Sequence, residues 1–410
     1  MSKFTANAVR AGYPLSVFRY RDFSFVWSST TLVTMGTQME AVVLGWFVLT
    51  LTDSPFLVGA ISAARMALNV LALFAGAVAD RVPRHRLLAG VEFSMTAFSL
   101  VMLALILSGL LETWHVFGVA VIAGMVRVFQ MPAAQSLVAD TLPPERLANG
   151  AAFNTLGRNI AMLAGPLLGG ILFKDFGPEG AFAAVAALYF LSGWVALYIR
   201  LSGSISHRDP EPVLRTMIGG LKYVKGQQVL WGTLVLALII ESSGWTFHTT
   251  LMPIFARDEL GVDSAGLGWL LFAFGIGAVT AALGWAMIGS MRHVGKLMIG
   301  SVVVWHASIL LFSATPSFYQ SMAILTITGA GFASTQFFIL SALLGNTLAE
   351  YRGRVMSLRS LAIYAFALGS MSSGAMAGLW SAPHAATIVG TMGIVLVLLL
   401  ALLAPKLRRL

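Results

Sequence analysis

Apolar runs of about twenty residues, the length a helix needs to cross the hydrocarbon core of a bilayer, recur along the whole chain. They predict helices over 23–50, 55–79, 87–110, 115–138, 149–173, 179–200, 228–256, 264–288, 294–314, 318–345, 355–380 and 385–404. Turn formers or charges sit in the breaks: Asp53-Ser54-Pro55, Pro83, Pro143-Pro144, Pro178, Asp263, Pro316 and Pro383. The expectation is an all-α membrane protein with twelve transmembrane helices. One long polar stretch, 201–227, interrupts them. Within it Leu214, Met217, Ile218, Leu221 and Val224 recur at helical spacing, with Arg215, Lys222 and Lys225 on other faces. That pattern predicts an amphipathic helix on the anionic inner leaflet; a plain linker is the simpler alternative. Either way the chain divides into 1–200, 201–227 and 228–410.

Positive charge is sorted between the loops. The N-terminus, the loops after even-numbered helices and the C-terminus hold 21 of the 26 Lys and Arg residues, the opposite loops hold only Lys174 and Arg257, and Arg65, Arg127 and Arg158 fall inside helices. The positive-inside rule then puts both termini in the cytoplasm and requires an even number of spans. Composition agrees with a lipid-facing chain: 58% of residues are apolar, 10% are charged and the mean hydropathy is +0.83, against about a quarter charged in soluble domains. The net charge of +9 resides in loops, so nucleic acid is not expected as a partner. Cysteine is absent, which excludes disulfides, thiolate metal sites and cysteine nucleophiles. The basic first 22 residues lead into an apolar run too long for a removable signal peptide.

An internal repeat follows from matched short segments. Asp140-Thr141-Leu142 before Arg146 recurs as Asn346-Thr347-Leu348 before Arg352, an offset of 206 shared by Gln130 and Gln336. Arg86-Leu87-Leu88 matches Lys296-Leu297-Met298 at 210, and Gly165 and Gly169 match Gly374 and Gly378 at 209. Offsets this consistent predict two pseudo-symmetric six-helix bundles around a central cavity.

Three motifs refine the picture. Gly76, Asp80, Arg81, Arg84 and Arg86, with Pro83 and His85 between them, stand in the loop after the second helix. Their spacing resembles the GxxxDRxGRR signature of the major facilitator superfamily, with proline where that pattern has glycine. The resemblance implies a cytoplasmic charge latch on Asp80 and Arg81, supported by Arg84 and Arg86, with Glu92 as a nearby latch partner. In the second half Ser290 and Met291 occupy the Asp and Arg positions, so the latch is expected on one side only. Gly165, Pro166, Gly169 and Gly170 in the fifth helix are similar to the GPxxGG core of exporters and antiporters in that superfamily; small residues there suit a close helix interface. Arg127-Val128-Phe129-Gln130 resembles its RxxQG motif, linked to proton coupling, with Met131 replacing the glycine. Ser54–Gly59, Met252–Arg257 and Gly266-Leu267-Gly268 are similar to the branch of macrolide, multidrug and siderophore exporters known as transmembrane secretion effectors.

Charges inside a bilayer are costly and usually face a cavity or a partner. The deep candidates are Glu40, Arg65, Arg127, Arg158, Glu241, His248 and His306. Glu40 and Arg65 lie at similar depths, roughly 18–20 Å below the intervening turn at about 1.5 Å per residue. Two readings stay open for Glu40: a proton carrier that a substrate displaces, or a permanent ion pair with Arg65. Glu241 is the one deep acid of the second half, Arg127 and Arg158 are expected to lie close together, and His248 is a candidate for the cavity wall. Trp27, Trp46, Trp245, Phe247, Trp269, Phe272, Phe337 and Phe338 supply candidate aromatic walls.

The resulting expectation is a monomeric, proton-coupled exporter of amphipathic drug-like compounds or secondary metabolites, in the cell membrane, without cofactor or metal. A dedicated siderophore exporter and a lysolipid transporter without proton coupling are the alternatives. An enzyme is not expected, since no GxxxxGK[ST] loop is present and the seven histidines are scattered.

Overall fold

Asp53 ends the first helix in the left-handed region, φ 51°, with its N–H bonded to the Leu49 carbonyl at 3.0 Å. Pro55, whose missing N–H costs nothing at a helix start, opens the next. The structure, a computed structural model, describes residues 14–67, 82–200, 213–288 and 291–410. Gly76, Asp80 and Arg81, and the tail of the predicted second helix, lie outside the described residues. Among those described, the helices are α1 (Arg21–Thr52), α2 (Pro55–Ala67), α3 (Arg84–Leu107), α4 (Thr113–Arg127), α5 (Gln130–Asp140), α6 (Leu147–Leu197), α7 (Val213–Lys225), α8 (Gln228–Ser242), α9 (Ser264–Ile288), α10 (Val294–Ser313), α11 (Phe318–Gly345), α12 (Arg352–Leu361), α13 (Tyr364–Leu379) and α14 (Ala382–Leu403).

Twelve spans account for these elements. Among the described residues nine apolar segments are long enough to cross a bilayer, and Pro55–Met66 and Thr113–Arg127 are shorter apolar helices. One of the nine, Pro144–Leu197, has 54 residues, about 80 Å of helix, far more than one crossing. Gly177 breaks it at φ 68°, ψ −175°, a conformation that only glycine adopts readily, and Pro178 starts the return. The predicted fifth and sixth spans are the two arms of α6.

The seventh span departs from regular helix. After α8 the chain passes through π-type turns at Phe247–Leu251 and Phe255–Glu259, on either side of Pro253. Proline removes one ladder hydrogen bond, and the widened turns take up the slack. The eleventh span is likewise split, into α12 and α13.

Large apolar side chains point outward, among them Leu107 (68% exposed), Trp114 (68%) and Leu379 (76%), while Glu40, Glu92 and Glu241 are buried. A water-soluble bundle has the reverse arrangement. Two glycine-lined seams join the halves. A Cβ on Gly59 of α2 would collide with the Ser370 carbonyl oxygen of α13, and one on Gly374 would lie 3.1 Å from the Gly59 Cα. In the other seam Gly170 faces the Ser264 carbonyl, and a Cβ on Gly268 would lie 3.0 Å from the Pro166 carbonyl oxygen. The GPxxGG-like segment therefore works in two directions: Gly165 and Gly169 abut Met35, Gln38 and Met39 of α1, and Pro166 and Gly170 meet α9.

The linker helix α7 exposes two apolar positions and buries a third. Ile218 and Leu221 are exposed beside Lys222 and Lys225, but Val224 is buried. Tyr223 stacks on Tyr351 at 4.1 Å between ring centroids and accepts from the Leu348 N–H at 3.1 Å, which ties α7 to the second half.

Candidate functional site

Glu40 lies twelve residues before the end of α1, about 18 Å down the helix. The residue is 8% exposed, and its carboxylate accepts from Arg127 Nη2 at 2.6 Å and from the Tyr189 hydroxyl. Arg65 Nη2 stands 3.7 Å from its other oxygen. Arg127 also donates to the Tyr189 oxygen at 3.2 Å, so three helices converge on one carboxylate. A Cβ on Gly36, one turn before Glu40, would lie 3.0 Å from the Tyr189 ring; the missing side chain is what lets that ring reach the acid. The expected Glu40–Arg65 pair is present, yet Arg127 is the closer partner. Tyr189 was not legible as a site residue. Its signal was only one of three hydroxyls, with Ser192 and Tyr198, in the apolar sixth span.

Tyr189→Phe is expected to leave the protein folded while weakening the hold on Glu40 by about 1.5–3 kcal/mol, the range for hydrogen bonds to charged groups. Thermal melts of Tyr189→Phe, Glu40→Gln and the double variant form a cycle that measures this coupling. Additive losses would mean that the hydroxyl does not serve the carboxylate.

Glu92 corrects a sequence expectation. It does not join a loop latch: it is 0% exposed, eight residues into α3, and accepts from Gln130 Nε2 at 2.8 Å. Helical phase explains the difference, because it turns Glu92 toward the sixth span, where a Cβ on Gly193 would lie 3.2 Å from the Glu92 Cβ. Of the motif around it, Arg84 pairs with Asp140 at 2.5 Å, and Arg86 is exposed.

Arg158 differs from Arg127 in its surroundings. It is exposed, while Arg127 is held by Glu40. Gly157, Gly165 and Gly169 abut α1, Leu163 and Gly170 abut α9, and Leu156, Ile160 and Leu168 form an exposed apolar face.

The second half carries its own cluster. Glu241 pairs with Arg359 at 3.1 Å, and Arg359 also donates to Gln336 Oε1 at 3.0 Å. Arg359, counted with the loop charges in the sequence reading, has a side chain only 14% exposed. Gln130 and Gln336, matched by the repeat, thus each bond a buried ionisable side chain, Glu92 and Arg359. Position 333, which matches Arg127, is alanine, and the arginine comes from α12 instead. His248 is 5% exposed and boxed by Phe274, with ring centroids 4.0 Å apart, and by Trp305, whose Nε1 donates to its Nε2 at 3.2 Å. It packs within the bundle and does not line an open wall. His306, bonded to Ser243 at 2.8 Å, is fully buried, as are Phe247 and Phe338.

Four bonds join the halves at the bundle face that carries Asp53, Gly177 and Asp263. Arg257 reaches Asp53 at 2.7 Å and the Leu49 carbonyl at 3.0 Å, Lys174 reaches Asp263 at 2.9 Å, and Ser264 donates to the Gly170 carbonyl at 2.8 Å. A crevice of about 20 Å³, room for one water, reaches Glu40 between Leu44, Met95, Ser99, Ala120 and Phe182. Among the described residues no group of three or more acids and histidines is placed to hold a metal ion.

Comparison with known proteins matches this architecture. The family described as transmembrane secretion effector covers residues 13–409. The multidrug efflux pump Tap of Mycolicibacterium fortuitum is 25% identical over 392 residues, 92% of this chain and 93% of that one. The staphyloferrin A transporter of Staphylococcus aureus is 22% identical over 307 residues, 70% of this chain and 75% of the relative. Among solved structures, a peptide transporter of the POT family aligns with a TM-score of 0.76 at 14% identity over 95% of both chains. A bacterial homologue of the human lysosomal transporter Spinster, in an inward-facing and unoccupied conformation, aligns at 0.72 and 13% over 96% of both. At such identities the structures speak for the fold alone, and the family match carries the assignment: the chain belongs to the transmembrane secretion effector family, multi-pass membrane transporters of the major facilitator superfamily.

Proposed function

We propose that this transporter is a proton-coupled exporter of amphipathic drug-like compounds or secondary metabolites in the cell membrane, working by alternating access with both termini in the cytoplasm. The observation that carries the reading is Glu40: a carboxylate deep in the bundle, held by Arg127, Arg65 and Tyr189. An acid at that depth is expensive unless it is used or permanently paired. A crevice with room for one water adjoins Glu40. Glu241 and Arg359 supply a second ion pair in the other half. On the proposed topology the Asp53 face is the outer one, and the bonds across it belong to an outward-closed state. Ile218 and Leu221 of α7 would then rest on the inner leaflet beside Lys222 and Lys225.

The relative named for multidrug efflux supports the broad substrate class. A second reading, export of an anionic siderophore, is favoured by Arg158, an exposed cation on a spanning helix, and by the staphyloferrin A relative. Transport by inverted vesicles under an imposed pH gradient tests the proposal. Glu40→Gln is expected to remove gradient-driven uptake, and Glu241→Gln to lower it, for a fluorescent lipophilic cation or a carboxylate siderophore. The coupling assignment fails if both variants keep the parent's rate. Antiport itself fails if the gradient leaves the parent's flux unchanged.

A further inference from the structure

One buried acid has no place in that scheme. Glu92 has no exposed surface and sits eight residues into a spanning helix. One of its oxygens accepts from Gln130 Nε2 at 2.8 Å; the other, Oε2, has no partner. An ionised carboxylate with a bare oxygen in this setting would lack the donors that normally compensate burial of charge. A carboxylic acid carries no charge to compensate; its hydroxyl at Oε2 still lacks an acceptor, but leaving a neutral group unpaired costs less than burying a bare charge. Arg127, one turn before Gln130, is the basic side chain nearest to it along the chain. Arg127 is itself half committed: Nη2 holds Glu40 and Tyr189, while Nη1 is buried without a partner. Gln130 lies one turn beyond Arg127, and Gly193, which admits Glu92, lies one turn beyond Tyr189. The two acids are therefore held from adjacent turns of the same two spans, the fourth and the sixth.

We propose that Glu92 is a second proton-binding site, coupled to Glu40 through Arg127. While Glu40 is ionised, Glu92 holds a proton and Arg127 serves Glu40. When Glu40 takes up a proton it loses its charge, Arg127 turns its unpartnered Nη1 toward Glu92, and Glu92 releases its proton. One proton enters at Glu40 and one leaves from Glu92, so the N-terminal half acts as a relay with a net charge that does not change. The direction of that relay rests on the proton-coupled reading above; the coupling between the two acids does not.

Infrared difference spectroscopy of the purified protein tests this without a transported substrate. At neutral pH the parent should show a protonated-carboxyl band that disappears in Glu92→Gln, a variant that keeps the size of the side chain and its bond to Gln130. Glu40→Gln mimics the protonated state of Glu40 and should remove the same band, because Arg127 is then free to serve Glu92. If the band survives in Glu92→Gln, Glu92 is ionised and the proposal falls. If Glu92→Gln removes it but Glu40→Gln leaves it, Glu92 is a permanently protonated packing residue and the proposal falls equally. Should Glu40→Gln not fold, the parent titrated to low pH decides: one band must fade as another grows, and a band that only gains intensity overturns the relay. A parent indifferent to a pH gradient in vesicles would sink proton-coupled export while leaving the infrared result to stand by itself.

Discussion

Tethering position 174 to position 263 is expected to stop transport, and cutting the tether to restore it. Lys174 ends the first arm of α6 and Asp263 precedes α9, and their side chains meet at 2.9 Å beside the Gly170–Ser264 contact. If substrate leaves through this face, the seam must open in each cycle. Exposed ion pairs are worth only about 0–1 kcal/mol, so the native link opens readily, whereas a covalent one does not. The chain has no cysteine, so Lys174→Cys with Asp263→Cys provides the only thiols. A short bis-methanethiosulfonate reagent should abolish uptake almost completely, and reductant should return it. Each single-cysteine variant should be unaffected by the reagent. Undiminished transport by the cross-linked protein would show that this seam does not separate. The native pair is a poor pH sensor. Partial burial raises the Asp263 carboxyl, but the hydrogen bond from Lys174 and the backbone N–H of Gly266 outweigh it and hold the carboxyl below its usual range. A depressed carboxyl keeps its pair at all higher pH and loses it only as pH falls through that lowered value, well below physiological conditions.

Arg127→Ala is expected to cost more than any other single truncation in the bundle. Glu40 would remain 8% exposed with one hydroxyl donor and Arg65 at 3.7 Å. Removing one member of a buried ion pair costs about 3–5 kcal/mol, because the other charge is left uncompensated; Arg65 and the small access crevice place the effect near the lower end. A lower melting temperature and a loss of transport of tenfold or more are the expected results, since about 1.4 kcal/mol in a barrier is already a factor of ten. Arg127→Lys keeps the charge but loses the planar fork that serves Glu40 and Tyr189 together, so it should fall between parent and Ala in both measurements. If Lys and Ala behave alike, geometry outweighs charge at this position. A melting temperature for Arg127→Ala equal to the parent's would remove Arg127 from the site.

Much of the site was legible along the chain because burial of charge is rare enough in an apolar helix to be noticed. Glu40, Arg65, Arg127 and Glu241 stand out for that reason, and all four fall in ionic clusters. Arg359 escaped because it lies five residues beyond Arg354 in a basic segment, where a loop arginine and a cavity arginine look the same. Glu92 was read with the neighbouring basic loop for a similar reason: sequence distance placed it near the arginines, and helical phase turned it away from them. The glycines of the fifth helix were recognisable as a packing surface, but their division between α1 and α9 was not, since small residues record closeness without naming the neighbour.

What the sequence determined by itself is the set of properties that each segment carries alone: twelve apolar lengths, the loops between them, the sorting of Lys and Arg, and the duplicated halves. Those follow from the cost of exposing charge and unsatisfied backbone to lipid, a cost that every helix meets separately. Tertiary structure alone decided the partners: Tyr189 on Glu40, Gln130 on Glu92, Arg359 on Glu241, and the glycine seams that press α2 to α13 and α6 to α9. Between helices lipid is as apolar as the side chains, so hydrophobicity does not choose a neighbour there. Close backbone approach and polar contacts do, and both depend on three-dimensional juxtaposition that no single segment encodes.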